Sequence, residues 1–102
     1  MVNDFLITSI QTIVKKKNIL GDGIKLYIFG STLFVPDPKD IDLLLAYDSR
    51  SIELGEIVII RRRLKQAIGD YLQKRIDVCL LSETELASNS FIEDEDAKLI
   101  FG

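Results

Sequence analysis

The sequence predicts an α/β (α+β) domain in which a small mixed sheet of three to four strands is covered by helices. Three observations support this prediction: two segments carry apolar residues at helical spacing, three short apolar runs have the length of buried strands, and the order along the chain is helix, strand, strand, helix, strand. With 102 residues, of which 47% are hydrophobic and 28% charged, the chain suffices for a single domain, 1–102, with its own core.

The first half of the chain is predicted to form a helix followed by two strands. Apolar residues recur at helical spacing from Phe5 to Val14, with Asn3 or Asp4 as cap and lysines 15–17 at the end where cations suit the helix dipole. A Gly-Asp-Gly turn precedes a strand that ends at Gly30. Ser31 is expected to cap a short helical turn before a proline-containing loop, and residues 40–47 form the second strand.

The second half is predicted to contain a long helix, a third strand and a polar tail. Residues 52–73 form an amphipathic helix, and 75–82 read as a strand. The final apolar segment, 97–102, fits either a helix end or an edge strand. The predicted apolar stripe of the long helix consists of Ile57, Ile60, Leu64, Ala67, Ile68, Tyr71 and Leu72.

Composition excludes several kinds of site. The formal net charge is −3 and the chain has no histidine and one cysteine, Cys79, so Ser-His and Cys-His catalysis and cysteine or histidine metal clusters are excluded. A metal would have to be held by oxygen. The overall acidity argues against a protein that coats nucleic acid, although local basic patches stay possible. No apolar run reaches membrane-span length and no signal peptide is visible, so a cytoplasmic protein is expected.

Two aspartates open the second strand, and a third lies in the last one. Side chains alternate along a strand, so Asp40 and Asp42 share one face with Cα atoms about 6.5–7 Å apart. Such a pair is unfavourable without a cation, and Mg²⁺ or Mn²⁺ suits oxygen ligands. Asp77 joins them if the two strands are neighbours, as a ligand or as a proton acceptor. Gly30 would allow close approach of phosphates to the backbone.

Each of these residues also has a purely structural interpretation. In this interpretation, Asp40 is simply a loop residue, and Asp42 is a residue at the end of a strand that faces water. Asp77 would only form a structural ion pair with Arg75 or Lys74. A glycine after a strand most often marks only a turn. The combination favours a site more strongly than any single member does.

The motifs "YIFGS", "DIDLLL" and "RIDV" resemble those of the minimal nucleotidyltransferase (MNT) family of the DNA polymerase beta superfamily. The resemblance covers essentially the whole chain and implies the polymerase beta-like nucleotidyltransferase fold. It implies that Gly30 and Ser31 contact the triphosphate, and that Asp40, Asp42 and Asp77 hold two magnesium ions. Asp77 would also help to activate the acceptor hydroxyl. Many members carry an arginine just after Gly-Ser, and this arginine is absent here. Lys39 is therefore expected as a triphosphate contact in its place.

The family reaction is transfer of a nucleoside monophosphate from an NTP, with ATP as the expected substrate, to a hydroxyl of a protein, an RNA or a small molecule. The resemblance implies a helical HEPN partner in a toxin-antitoxin pair, and a homo-oligomer is the other assembly considered. A catalytically silent binding module that neutralises a protein partner is the alternative function. The basic cluster at 61–65 fits a solvated helix face or a surface for RNA phosphates or an acidic partner. Val58 and Ile59, off the apolar stripe, are consistent with a protein interface or with ordinary exposed apolar residues.

Overall fold

The computed structural model describes residues 4–30, 35 and 37–102. Their helices are α1 (Asp4–Lys17), α2 (Leu54–Leu72), α3 (Glu83–Ala87) and α4 (Phe91–Asp94), and their strands are β1 (Ile24–Phe29), β2 (Asp40–Tyr47), β3 (Arg75–Ser82) and β4 (Lys98–Phe101). The predicted α+β class is confirmed.

The four strands form one mixed sheet in the order β3-β2-β1-β4. Strand β1 pairs antiparallel with both β2 and β4, whereas β2 and β3 run parallel. A parallel pair needs a long crossover connection, and α2 supplies it between β2 and β3. The C-terminal segment is therefore an edge strand beside β1, which decides between the two alternatives that the sequence left open.

The main core lies between the sheet and the pair α1 and α2. Ile10 and Val14 of α1, and Leu64 and Ile68 of α2, are completely buried against the strands. Alternate residues of β2, such as Leu43, face these helices because strand side chains alternate between the two faces of the sheet. The predicted apolar positions of α1 thus form the core except for Phe5, which is 81% exposed at the start of the helix. Those of α2 also form the core, as predicted, with one exception.

Tyr71 is that exception. Its predicted place in the apolar stripe of α2 is wrong, because the side chain is 53% exposed. It lies in the last turn of the helix, one residue before the end at Leu72. The phenol can keep its hydroxyl in water there without losing contact between its ring and neighbouring residues.

The opposite face of the sheet is covered in part by the short helices α3 and α4. Leu44 and Ala46 of β2 point to this side and are fully buried. Phe91 of α4 packs edge to face on Phe29 of β1, with ring centroids 5.0 Å apart. This side of the sheet also carries Asp40 and Asp42, so the sheet separates the two long helices from the predicted site.

Helix α3 begins with a capping box that anchors it to the end of β3. The backbone N–H of Glu85 donates to Ser82 Oγ at 3.1 Å, and the N–H of Ser82 donates to Glu85 Oε1 at 3.0 Å. Both hydrogen bonds satisfy amide groups that a helix start would otherwise leave without a partner. The sequence pattern Ser-x-x-Glu carries this signal at 82–85.

Replacing Ser82 with Ala is expected to lower the free energy of unfolding by about 1 kcal/mol, the usual effect of losing an N-cap hydroxyl. Ser82 is almost completely buried, so water cannot easily take its place. Denaturant unfolding followed by circular dichroism would measure the change. The variant Ser88→Ala, which alters an exposed hydroxyl at the other end of α3, is the control, and equal stability of the two variants would contradict the prediction.

No helix in the described ranges combines the length and the apolar character that crossing a bilayer would require.

Candidate active site

Asp42 and Asp77 are direct neighbours on adjacent strands. The parallel pairing of β2 with β3 places Asp42 in register with Asp77, and Asp40 in register with Arg75. Asp40 and Asp42 are two residues apart and share a face of the sheet. The second and third strands are neighbours, which is the condition under which Asp77 joins the pair, and three carboxylates lie at one end of the parallel pair.

These carboxylates line a cleft of about 450 Å³. Its other walls come from the loop that precedes β2, including the exposed Lys39. The residues that line the cleft are Val35, Asp37, Pro38, Lys39, Asp40, Asp42 and Asp77. Lys39, one of the predicted triphosphate contacts, thus borders the same cleft as the three predicted acids. The cleft is large enough for part of a nucleotide.

Lys74 fixes the loop that forms one wall of the cleft. Its Nζ donates to Asp37 Oδ1 at 2.6 Å and to the backbone carbonyl of Pro38 at 2.7 Å. The ammonium group lowers the pKa of Asp37 through the hydrogen bond and the charge interaction. Because Lys74 directly precedes β3, this contact ties the loop before β2 to the start of the neighbouring strand. Lys74 was considered as a partner of Asp77, and it binds Asp37 instead.

Gly30 makes room for the carboxylate of Asp42. Its φ of +74° lies in the left-handed region, and a Cβ placed there would be 3.0 Å from Asp42 Oδ2. The pairing of Phe29 with Asp42 across the β1 and β2 strands brings these residues together. The group that lies close to Gly30 in this structure is the side chain of Asp42, and the expected approach of phosphates to this backbone stays a prediction.

The site concentrates negative charge around Asp42. Partial burial raises the pKa of Asp42, and the nearby carboxylates of Asp77, Asp40 and Glu95 raise it further. Glu95, directly after α4, was not foreseen as part of the site. The acidic run at 93–96 was its only signal in the sequence, and nothing there indicated which acid would approach β2.

Arg75 and Cys79 lie on either side of Asp77 along β3. Arg75 Nε is 3.5 Å from Asp77 Oδ1, so the predicted structural pairing of Asp77 with Arg75 is present. The Arg75 side chain is 75% exposed and that of Asp77 is 45% exposed, which makes the pair weak and leaves Asp77 accessible from the cleft. Burial raises the pKa of the Cys79 thiol, with the charges of Asp42 and Asp77 adding to it. A thiol that is held protonated is a poor nucleophile.

The predicted roles of Ser31 and of the three-aspartate metal site are not decided by the structure. Ser31, predicted as a cap and a triphosphate contact, lies outside the described residues. Among the residues that the structure does describe, no group of three or more Asp, Glu, Cys or His side chains is arranged to hold a metal ion. The metal site of Asp40, Asp42 and Asp77 therefore stays a prediction.

Asp42→Asn is expected to raise the melting temperature at neutral pH in the presence of EDTA. A raised pKa in the folded state means that the native protein binds more protons than the unfolded chain just above pH 3.8, so stability falls as pH rises through this interval. The Asn variant avoids that loss. Its advantage should disappear at about pH 3, where the carboxyl is protonated in both states. Thermal melts at the two pH values would measure it, and a variant that melts below wild type at neutral pH would contradict it.

Comparisons with known proteins identify the fold. No protein-family model matches the chain, and no curated protein is similar enough to count as a relative. A crystal structure from Shewanella oneidensis matches with a TM-score of 0.60 at 20% identity, covering 98% of this chain and 72% of the other. The MNT antitoxin in complex with the tri-AMPylated HEPN toxin, also from Shewanella oneidensis, matches with a TM-score of 0.55 at 19% identity over 95% and 72% of the two chains. The chain has the MNT fold.

A third solved structure, a toxin-antitoxin complex with AMP-PNP, matches the MNT fold of this chain with a TM-score of 0.56 at 19% identity. It covers 94% of this chain and 73% of the other. The resemblance that the motifs carried is confirmed at the level of the fold. The mixed sheet packed by helices is the architecture that this chain has in common with the MNT neighbours.

Proposed function

We propose that the chain is a metal-dependent nucleotidyltransferase that moves a nucleoside monophosphate, AMP in the first instance, from an NTP to a hydroxyl group. The observation that carries the proposal is the register of Asp42 with Asp77, with Asp40 on the same face, at the border of a single cleft. Carboxylates from two strands that meet in this way suit phosphoryl chemistry, in which positioning and charge neutralisation supply most of the catalysis.

The residues present fit a divalent cation of the magnesium type. The donors are carboxylate oxygens, which Mg²⁺ and Mn²⁺ prefer, and Mg²⁺ is usually held by one or two carboxylates together with substrate phosphates and water. A preformed cage of three protein ligands is therefore not required. Partial burial raises the pKa of Asp42 most, and the neighbouring carboxylates raise it further, a repulsion that a cation would relieve. Asp40, Asp42 and Asp77 would hold the ion, which would lower the pKa of the attacking hydroxyl and neutralise charge on the phosphates.

The side chains of this chain have distinct roles in the proposed reaction. The acceptor oxygen forms a bond to the α-phosphorus while the bond from that phosphorus to the pyrophosphate oxygen breaks. Asp77, exposed to the cleft beside Arg75, takes the proton of the acceptor hydroxyl. Lys39 borders the cleft and offers its ammonium to the triphosphate. Gly30, without a Cβ, allows the Asp42 carboxylate to lie close to its backbone.

We further propose that a HEPN-type helical protein is the partner of this chain and carries its acceptor hydroxyl. The support comes from the structural neighbours: one contains a tri-AMPylated HEPN toxin in complex with an MNT antitoxin, and another is a toxin-antitoxin complex with AMP-PNP. In this proposal the chain is the antitoxin of such a pair, and transfer of AMP to the partner is what silences it.

A label-transfer assay tests the reaction. The purified chain is incubated with each α-labelled NTP, Mg²⁺ or Mn²⁺ and a lysate of its source organism, and parallel samples receive EDTA or heat-inactivated protein. Label on a discrete protein or RNA band that depends on the metal would support the proposal and identify both nucleotide and acceptor. Failure of transfer with every nucleotide and both metals would count against it.

The silent binding module is the second candidate, favoured by the absence, after Gly30 and Ser31, of the arginine that many members of the MNT family carry there. Thermal stabilisation distinguishes it from an enzyme. A protein that binds an NTP with its cation gains stability with ligand concentration, by about 2.7 kcal/mol at a hundred times the dissociation constant. A silent module should show no change of melting temperature with ATP and Mn²⁺, together with no label transfer.

A further inference from the structure

The helix layer carries an unusual share of the positive charge. The chain has 13 Lys and Arg residues against 16 Asp and Glu. Seven of the basic residues lie in two short segments, 15–17 at the end of α1 and 61–65 in the middle of α2. No acidic residue occurs between Ile57 and Gly69. Because α1 and α2 pack against each other, the two basic segments belong to one side of the molecule.

The opposite side of the sheet is acidic. The stretch that contains α3 and α4 has no basic residue from Glu83 to Ala97 and carries the acids Glu83, Glu85, Glu93, Asp94, Glu95 and Asp96. The net charge of −3 therefore conceals two surfaces of opposite sign. An acidic chain that keeps a local basic surface has a candidate site for an anionic partner on that side.

Two adjoining clefts shape the basic surface. The first, of about 460 Å³, contains Lys17 of α1 with Arg63, Asp70 and Tyr71 of α2. The second, of about 410 Å³, is bordered by Arg61, Arg62 and Lys65 and has no acidic residue in its lining. Gln66 lines both clefts and forms the ridge between them. Along α2 the surface from residue 61 to residue 71 is about 15 Å long.

The cations of this surface are available for a ligand. Among the described residues, none of the five that border the clefts, Lys17, Arg61, Arg62, Arg63 and Lys65, has a carboxylate oxygen within 4.0 Å. Tyr71, which is 53% exposed, lines the first cleft together with Arg63. Exposed aromatic rings next to arginines are the arrangement with which proteins bind single-stranded nucleic acid, the ring stacking on a base and the cations following the phosphates.

We propose that this surface, the two clefts of α2 with Lys17 and Tyr71, binds single-stranded nucleic acid. An acidic protein could also pair with the cations, but binding of such a protein does not account for an exposed tyrosine ring in the same cleft. The two clefts of this surface share no lining residue with the cleft of Asp40, Asp42 and Asp77, so the binding does not rest on nucleotidyl transfer. A chain that binds RNA or DNA through this surface would bring its cleft of Asp40, Asp42 and Asp77 close to other molecules bound to the same nucleic acid.

Fluorescence anisotropy with a labelled oligonucleotide of about 12 nucleotides, as RNA, as DNA and as duplex, tests the proposal. The single strands should bind more tightly than the duplex, and the RNA and DNA arms distinguish the two sources of the ligand. With about four phosphate contacts, the logarithm of the association constant should fall against the logarithm of salt concentration with a slope of about −3.

Two sets of exposed substitutions separate charge from stacking. Arg62→Gln with Arg63→Gln, one change in each cleft, should reduce the salt slope by about 1.4 and weaken binding about tenfold. Lys25→Gln with Lys98→Gln, which removes the same charge from exposed positions outside both clefts, should leave both quantities unchanged. Tyr71→Ala should weaken binding about tenfold without changing the slope, whereas Tyr71→Phe should bind like wild type.

Three results would overturn the proposal. The first is the lack of saturable binding to either single strand at low salt. The second is equal binding by the arginine pair variant and its lysine control. The third is competition by poly-glutamate as effective as by the oligonucleotide, with binding insensitive to Tyr71→Ala. That last result would assign the surface to an acidic protein.

Discussion

Asp42→Asn is expected to lower nucleotidyl transfer by about 10²–10³-fold or more, the range found when one group that stabilises transition-state charge is removed. Asp42 is the central acid of the cleft: it lies in register with Asp77, two residues from Asp40, and against Gly30. The amide has a similar shape but no negative charge, so it would hold a cation poorly. The label-transfer assay with the acceptor in hand would measure the loss.

The matched control for this variant is Asp22→Asn. It makes the same chemical change at an exposed turn outside the cleft. Circular dichroism and thermal melts would show whether both variants stay folded. Transfer at the wild-type rate by a folded Asp42→Asn protein would refute the assignment of this cleft as the active site.

Gly30→Ala is expected to damage both stability and transfer. An L-residue in the left-handed region costs roughly 1–2 kcal/mol, and the added Cβ would lie 3.0 Å from Asp42 Oδ2, so the carboxylate must move. A displacement of about 1 Å in a catalytic group can reduce the rate by about 100-fold. Denaturant unfolding and the transfer assay would report the two effects separately.

Gly55→Ala provides the control for Gly30→Ala. Gly55 lies in the first turn of α2 with open space around it and no positive φ, so alanine there should stabilise the protein slightly. In a double-mutant cycle, Asp42→Ala should relieve part of the cost of Gly30→Ala, because the carboxylate is the group that the Cβ meets. Additive effects of the two substitutions would show that the contact does not matter.

The segments with strong periodicity could be predicted from the sequence. Strand β2 was predicted at its observed bounds because Asp40 follows a proline-containing loop and an unbroken apolar run follows Asp42. Strand β3 was also predicted at its observed bounds, 75–82. The neighbouring position of Asp42 and Asp77 could be expected because the two strands flank a single amphipathic helix, the usual form of a parallel crossover.

The parts that escaped prediction depend on tertiary contacts. Helices α3 and α4 have five and four residues, too few to show a helical period. Glu95 reaches the neighbourhood of Asp42 only because α4 folds back over the sheet, where Phe91 packs on Phe29. The exposure of Tyr71 depends on where the sheet ceases to cover α2, which no local pattern encodes.

The parallel pairing of β2 with β3 has a consequence for the order of events during synthesis. Asp40 and Asp42 leave the ribosome before the 19-residue helix α2, and Asp77 leaves after it. A nascent chain that ends within α2 therefore carries only two of the three aspartates and lacks the strand that completes the cleft. Any nucleotide or partner that recognises all three acids must wait until the crossover has closed, so binding is confined to chains translated past β3.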